Sequence, residues 1–132
     1  MKVTEKAGMN SEEEIYFFDT YAIFEVISGN ENYLPYQDVK MITTIFNIAE
    51  LNYNLKREKD KEIANGISDK YADFVVEVSL EDVKEAMDFK IKYKDMSIPD
   101  VIGYVVAKRY GAKFLTGDDD FKDLGNVEFV KR

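Results

Sequence analysis

Carboxylate side chains at four separate places in the sequence are the residues best suited to chemistry. Asp19 and Asp118 each follow a short apolar segment, Asp100 lies in the first turn of a predicted helix, and Glu50 lies inside another predicted helix. Acids that pack together repel one another and need a cation or shared protons. Hard divalent ions such as Mg²⁺ and Mn²⁺ prefer oxygen ligands of this kind. The four acids are therefore candidate metal ligands of one catalytic pocket.

Composition removes most other routes to catalysis. The 132 residues include no His and no Cys, which excludes imidazole general bases, thiolate nucleophiles, zinc fingers and a disulfide framework. Lys and Arg number 18 against 26 Asp and Glu, giving a formal charge of −8. A protein that coats nucleic acid by bulk attraction needs an excess of basic residues. Any nucleic-acid contact must therefore be local.

Chain length and hydropathy indicate one domain and no membrane span. The longest apolar run, from Val101 to Ala107, is far shorter than the ~18 residues that cross a bilayer. The N-terminus is polar and lacks the pattern of a secretory signal, so we expect a cytoplasmic protein. We expect residues 1–13 to form a polar, partly disordered N-terminal extension and residues 14–132 to form the folded domain.

Strand and helix patterns alternate along the chain. Five segments have the composition of buried strands: Ile15 to Phe18, Val39 to Ile42, Phe74 to Val78, Lys113 to Thr116 and Val127 to Val130. Helical patterns lie between them, one of which has an apolar stripe formed by Ile42, Ile45, Phe46, Ala49 and Tyr53. Such alternation favours an α/β fold with a parallel sheet and helices on both faces.

This fold class would bring the acids together. Ligands of open parallel sheets bind outside the carboxyl ends of the strands, and Asp19 and Asp118 follow strands directly. Each acid also has a simpler explanation, since Asp19 and Asp100 could serve only as helix caps and residues 118–120 could be a solvated turn. Glu50 is harder to explain in this way, because a Glu that faces the core is rarely buried without a partner.

Four ordered motifs resemble the PIN domain family, and most closely its small single-domain, VapC-like prokaryotic members. The motifs are Phe17-Phe18-Asp19-Thr20-Tyr21-Ala22-Ile23, Ile48-Ala49-Glu50-Leu51, Ile98-Pro99-Asp100-Val101-Ile102-Gly103 and Phe114-Leu115-Thr116-Gly117-Asp118-Asp119-Asp120-Phe121. The resemblance extends over residues 15–130. The acidic N-terminal extension departs from the pattern of small toxins of this kind.

The resemblance implies a three-layer α/β/α sandwich with about five parallel strands and a Mg²⁺- or Mn²⁺-dependent endoribonuclease that hydrolyses RNA. It also implies a homodimer and, in the VapC group, inhibition by an antitoxin protein. By matching, the four acidic positions of the family fall on Asp19, Glu50, Asp100 and Asp118, which are the expected catalytic residues and metal ligands. Thr20 and Thr116 match hydroxyl positions beside the first and last acids, and Asp120 is a possible auxiliary ligand.

Three other functions fit parts of the sequence. A phosphatase that forms an aspartyl-phosphate would need a second Asp two positions after Asp19, where this chain has Tyr21. A receiver domain would need paired acids at the first strand and a Lys near the last one. A PIN-like binding or scaffold protein without catalytic turnover is the stronger alternative, although acids at all four positions argue against a decayed site.

Overall fold

A computed structural model describes residues 13–132, which form a four-stranded parallel sheet with helices on both faces. The strands are β1 (Ile15–Phe18), β2 (Lys40–Ile42), β3 (Lys113–Thr116) and β4 (Val127–Phe129), in the spatial order β2-β1-β3-β4. The central strand β1 pairs with β2 and β3, so that Phe17 lies opposite Ile42 and Phe114. The predicted α/β class with a parallel sheet is confirmed.

Within residues 13–132, five α-helices connect and cover the strands. They are α1 (Thr20–Ile27), α2 (Ile45–Glu58), α3 (Lys61–Lys70), α4 (Leu80–Lys92) and α5 (Ile98–Arg109). Short 3-10 helices occupy Glu31–Tyr36, Ala72–Phe74 and Asp119–Phe121. None of these helices combines the length and the apolar character that crossing a bilayer requires. Of the predicted N-terminal extension, only Glu13 lies within the described residues.

Alternating side chains of β1 divide the core between the two faces of the sheet. Phe17 packs in one apolar cluster with Phe114 and α5, while Phe18 packs in the other with α1 and α2. Residues 101–107 of α5 are buried without a break, which explains the long apolar run in the sequence. Gly103 permits this close approach, because a Cβ atom there would lie 2.8 Å from the ring of Phe17.

The predicted strand from Phe74 to Val78 is not formed, so the sheet of the described residues has four strands and not five. Only a single parallel bridge joins Thr43 to Val75. The amide of Val76 donates to the carbonyl of Thr43 at 2.9 Å, and the amide of Thr43 donates to the carbonyl of Phe74 at 2.9 Å. On one side of this bridge the chain before Val75 forms the 3-10 helix Ala72–Phe74, and on the other side the chain after Thr43 turns into α2 at its cap, Thr44, so the pairing cannot extend.

The predicted apolar stripe of α2 is also wrong. Ile45 and Tyr53 are 57% and 63% exposed, whereas the buried face of the helix carries Asn47, Leu51 and Leu55. Leu51 and Leu55 pack in the same cluster as α1 and α3, and this contact sets the rotation of the helix. The spacing of apolar residues predicted the wrong buried face of α2 because a polar residue, Asn47, lies on the face that is buried.

Candidate active site

Asp19 lies where β1 ends and α1 begins. Its Oδ1 accepts the amide of Ala22 at 2.8 Å, which caps the helix, and the hydroxyl of Thr116 on the neighbouring strand also donates to its carboxylate. The residue is only 2% exposed. Burial raises the pKa of Asp19 to about 8, and the charges of Asp100 and Asp118 add to the increase. The carboxyl therefore holds a proton at neutral pH unless a cation compensates its charge.

Asp100 occupies the first turn of α5 and forms a capping box with Ser97. Its Oδ2 accepts the amide of Ser97 at 3.0 Å, and its own amide donates to the Ser97 hydroxyl at 3.2 Å. Burial raises the pKa of Asp100 to about 6, the hydrogen bonds to Ser97 oppose this, and Asp118 and Glu50 raise it further. Asp19 and Asp100 thus cap helices, which is the simpler explanation given above for each. The charges of other acids also raise the pKa of both residues.

Asp118 begins the turn after β3. Its amide donates to the hydroxyl of Thr116 at 3.0 Å, and its Oδ1 accepts the amide of Asp120 at 3.0 Å. Asp120 is exposed at the edge of this turn, where slight desolvation and the charges of Asp118 and Asp95 raise its pKa. The structure therefore puts Asp120 at the rim of the acidic group.

Glu50 reaches the group from the middle of α2 through hydrogen-bonded side chains. Its Oε1 accepts the hydroxyl of Thr20 at 2.7 Å, and that hydroxyl accepts the side-chain amide of Asn47 at 3.2 Å. The hydroxyl of Thr44 in turn donates to Oδ1 of Asn47 at 2.7 Å. Asn47 is not among the sequence-predicted site residues; its signal in the sequence is an uncharged polar residue almost one helical turn before Glu50.

Mutual electrostatic effects connect the four sequence-predicted acids. The pKa of Asp19 is raised by the charges of Asp100 and Asp118, and the pKa of Asp100 is raised by those of Asp118 and Glu50. The acids come from β1, α2, α5 and the turn after β3, and they meet at the carboxyl end of the central strands. Their repulsion is the physical condition that a bound cation would relieve.

The donor chemistry of this site fits a hard divalent cation. All four side chains offer carboxylate oxygens, and Thr20 and Thr116 add hydroxyls, which is the ligand set that Mg²⁺ and Mn²⁺ prefer. Among residues 13–132, however, no three acids lie close enough to form a complete metal cage as they stand. Hydrogen bonds join Asp19 to Ala22, Asp100 to Ser97, Asp118 to Asp120 and Glu50 to Thr20. Each of these hydrogen bonds uses one of the two carboxylate oxygens of an acid, so it leaves the other oxygen for a cation.

Comparison with known proteins places the chain in a family. The family model described as the PIN domain matches residues 16–127. Similar solved structures include a toxin-antitoxin complex from Klebsiella pneumoniae, with a TM-score of 0.69 and 16% identity over 86% of this chain and 95% of the other. VapBC2 from Rickettsia felis, bound to a DNA fragment from its promoter, has a TM-score of 0.68 and 16% identity over 89% and 98% of the two chains.

A protein from Pyrobaculum aerophilum is similar to the same degree, with a TM-score of 0.68 and 17% identity over 89% of this chain and 92% of the other. Among curated protein sequences, none matches significantly. At these identities the structural likeness establishes the fold, and the family model covers most of the chain. The chain therefore belongs to the PIN domain family.

Proposed function

We propose that this protein is a Mg²⁺- or Mn²⁺-dependent endoribonuclease that hydrolyses phosphodiester bonds of RNA. The observation that carries the proposal is the electrostatic coupling of four acids from four distant parts of the chain at one end of a parallel sheet. Structural needs alone do not explain this arrangement, because mutually repelling carboxylates around the buried Asp19 reduce stability. Membership of the PIN family supports the same reaction class.

Each acid has a proposed role. Asp19 and Asp118 hold the metal directly, and Asp100 and Glu50 complete its shell or orient the attacking water. A bound divalent ion would supply a water of lowered pKa and stabilise negative charge on the phosphate and the leaving oxygen. Thr116 fixes Asp19 through its hydroxyl, Thr20 fixes Glu50, and Asp120 is an auxiliary ligand at the rim.

A cation that binds Asp19 has to displace a proton from its carboxyl group. With a pKa of about 8, Asp19 must release a proton before its carboxylate can bind a cation at neutral pH. Without the cation, the acidic site and the overall charge of −8 repel a phosphate backbone. RNA is therefore engaged chiefly through the loaded pocket, and we expect binding to be weak and sensitive to salt.

A protein partner is the second part of the proposal. Two of the similar structures are toxin-antitoxin complexes, and we propose that this chain is a toxin of such a pair, a homodimer that an antitoxin protein inhibits. Exposed apolar side chains supply surface that partners could cover, among them Ile45, Phe46, Leu80 and Ile91. Light scattering of the purified chain tests the dimer, and co-purification with the product of an adjacent small gene tests the antitoxin.

The nuclease proposal is tested by incubating the purified protein with total tRNA and rRNA in Mg²⁺ or Mn²⁺. We expect discrete cleavage products that disappear when EDTA is added and return when Mn²⁺ is restored. Cleavage that persists in EDTA would show a contaminating, metal-independent ribonuclease. The same samples, analysed over time, would show whether cleavage is limited to a few sites.

A binding or scaffold role without turnover remains the second candidate. The observation that favours it is that no three acids of residues 13–132 form a ready metal cage. Thermal unfolding with increasing Mn²⁺ separates the candidates, because a ligand that binds the folded state stabilises it by RT ln(1 + [L]/Kd). A rise in Tm supports the metal-dependent enzyme, whereas an unchanged Tm together with no cleavage supports the scaffold.

A further inference from the structure

Glu50 differs from the other three acids in how it is anchored. Asp19, Asp100 and Asp118 each accept a backbone amide within their own turn, so the local chain conformation fixes their carboxylates. Glu50 lies in the middle of α2, where backbone amides are already bonded within the helix. Its longer side chain, with more rotatable bonds, makes its hydrogen bond to the side chain of Thr20.

The hydrogen bonds that lead to Glu50 have one consistent direction. The Thr44 hydroxyl accepts the amides of Phe46 and Asn47 at 3.2 and 3.3 Å, so its own proton is directed to Oδ1 of Asn47. The side-chain NH₂ of Asn47 is thereby turned toward Thr20 and donates to its hydroxyl. Because this hydroxyl has one proton, that proton is left for Oε1 of Glu50.

Burial makes this arrangement rigid. Thr44 is 0% exposed and Asn47 is 1% exposed. Polar groups at such depth are costly unless they are hydrogen-bonded, which favours the fully satisfied network over alternatives. The network joins the end of β2, the first turns of α2 and the start of α1.

We propose that Asn47 is a positioning residue that, through Thr20, keeps the Glu50 carboxylate at the acidic site, with Thr44 fixing the orientation of Asn47. This inference rests on the proposed metal-dependent function. Residues that orient metal ligands in this way are commonly worth 10–100-fold in metal affinity. Neither Asn47 nor Thr44 contacts the metal or the RNA in this account.

The first experiment measures Mn²⁺ affinity by titration calorimetry for Asn47→Leu and for a matched control, Asn52→Leu. Asn52 lies on the same helix, but its side-chain amide bonds to Asn65 and Ser68 at 3.1 and 2.9 Å. We expect Asn47→Leu to weaken Mn²⁺ binding about 10–100-fold and Asn52→Leu to leave it unchanged. Equal affinity of wild type and Asn47→Leu would overturn the proposal.

A second comparison distinguishes positioning from general damage to the fold. In a Glu50→Ala background, Asn47→Leu should cause no further loss of Mn²⁺ affinity, since the residue it positions is absent. An equal loss in both backgrounds would mean that Asn47 acts on the fold as a whole.

At the other end of the network, Thr44→Ser retains the hydroxyl and should bind Mn²⁺ like wild type, whereas Thr44→Val should bind more weakly.

A metal-free measurement separates this inference from the proposed function. If wild type does not bind Mn²⁺, the metal-dependent function fails, and the carboxyl ¹³C resonance of Glu50 still reports on its hydrogen bond. We expect Asn47→Leu to shift this resonance and Asn52→Leu to leave it in place. A resonance that neither variant moves would contradict the positioning role, whatever the fate of the nuclease proposal.

Discussion

The hydroxyl of Thr116 joins Asp19 to Asp118. It donates to the Asp19 carboxylate and accepts the backbone amide of Asp118 at 3.0 Å. Two acids that are 99 positions apart in sequence are thus held at adjacent strand ends by one side chain that is itself fully buried. The pairing of β1 with β3 makes this contact possible, since Phe18 lies opposite Leu115.

The first prediction concerns this hydroxyl. Thr116→Val keeps the shape of the side chain but leaves Asp19 without one donor and Asp118 without an acceptor. We expect a loss of about 1–3 kcal/mol in the free energy of unfolding, which urea denaturation measures. The pKa of Asp19 should rise further, because the Thr116 hydrogen bond lowers it. Thr116→Ser should behave like wild type, and similar losses for both variants would contradict a role for the hydroxyl.

The second prediction is a decrease in the stability of the metal-free protein as pH rises. Asp19 has a pKa of about 8 in the folded state against 3.8 as its ordinary value, so the folded state binds more protons between these values. Stability then falls with rising pH across this window, by about 1.4 kcal/mol per unit of pKa difference. Asp100, whose pKa in the folded state is about 6, also makes the stability fall as pH rises, up to about pH 6.

Asp19→Asn should abolish the decrease in stability between about pH 6 and about pH 8. Urea denaturation between pH 4 and 8 is the measurement, with wild type losing stability up to about pH 8. The variant should lose stability only up to about pH 6, the range of Asp100. Parallel curves for wild type and Asp19→Asn would contradict the raised pKa of Asp19.

The third prediction is that Mn²⁺ binds more tightly as pH rises from about 6 to about 8, the range bounded by the pKa values of Asp100 and Asp19. Binding displaces the proton that Asp19 holds, and one displaced proton corresponds to about tenfold in affinity per pH unit. Calorimetry in buffers of different ionisation enthalpy counts the released protons directly. An affinity that does not vary with pH would mean that the metal does not contact Asp19.

The fourth prediction concerns the packing of α5 on the sheet. Gly103→Ala would put a Cβ atom 2.8 Å from the ring of Phe17, and we expect a loss of about 1–3 kcal/mol in unfolding free energy. Gly66→Ala is the control, because a Cβ atom at Gly66 in α3 meets nothing within 4 Å. There the better helix propensity of Ala should stabilise the protein by up to about 1 kcal/mol. Equal effects of the two substitutions would contradict the close approach of α5.

The features of this fold that the sequence predicts are those that depend on residues close together in the chain. Asp100 lies in the first turn of a helix, as the sequence predicts, and forms a capping box there with Ser97. Strand-end acids also follow from local sequence, because each comes directly after a buried apolar segment. The convergence of Asp19 and Asp118 then follows from the general geometry of parallel sheets.

Features that depend on tertiary packing were not predictable in the same way. Phe74 to Val78 has strong strand composition, yet its neighbour Thr43 offers only one bridge before Thr44 caps α2. The rotation of α2 depends on Leu51 and Leu55 meeting α1 and α3, and apolar spacing along the helix does not specify that contact. The role of Asn47 could not be predicted because its partner Thr20 lies in α1, 27 positions earlier in the sequence.

The central claim is that Asp19 takes part in metal-dependent RNA cleavage. Its most direct test compares wild type, Asp19→Asn and Asp60→Asn in cleaving a pool of tRNA and rRNA with Mn²⁺, after circular dichroism has shown that all three are folded. Asp60 is the matched control, since it caps α3 by accepting the amide of Ile63 at 2.9 Å and does not belong to the acidic site. We expect wild type and Asp60→Asn to cleave equally and Asp19→Asn to be inactive. Cleavage by Asp19→Asn at the wild-type rate would contradict the account.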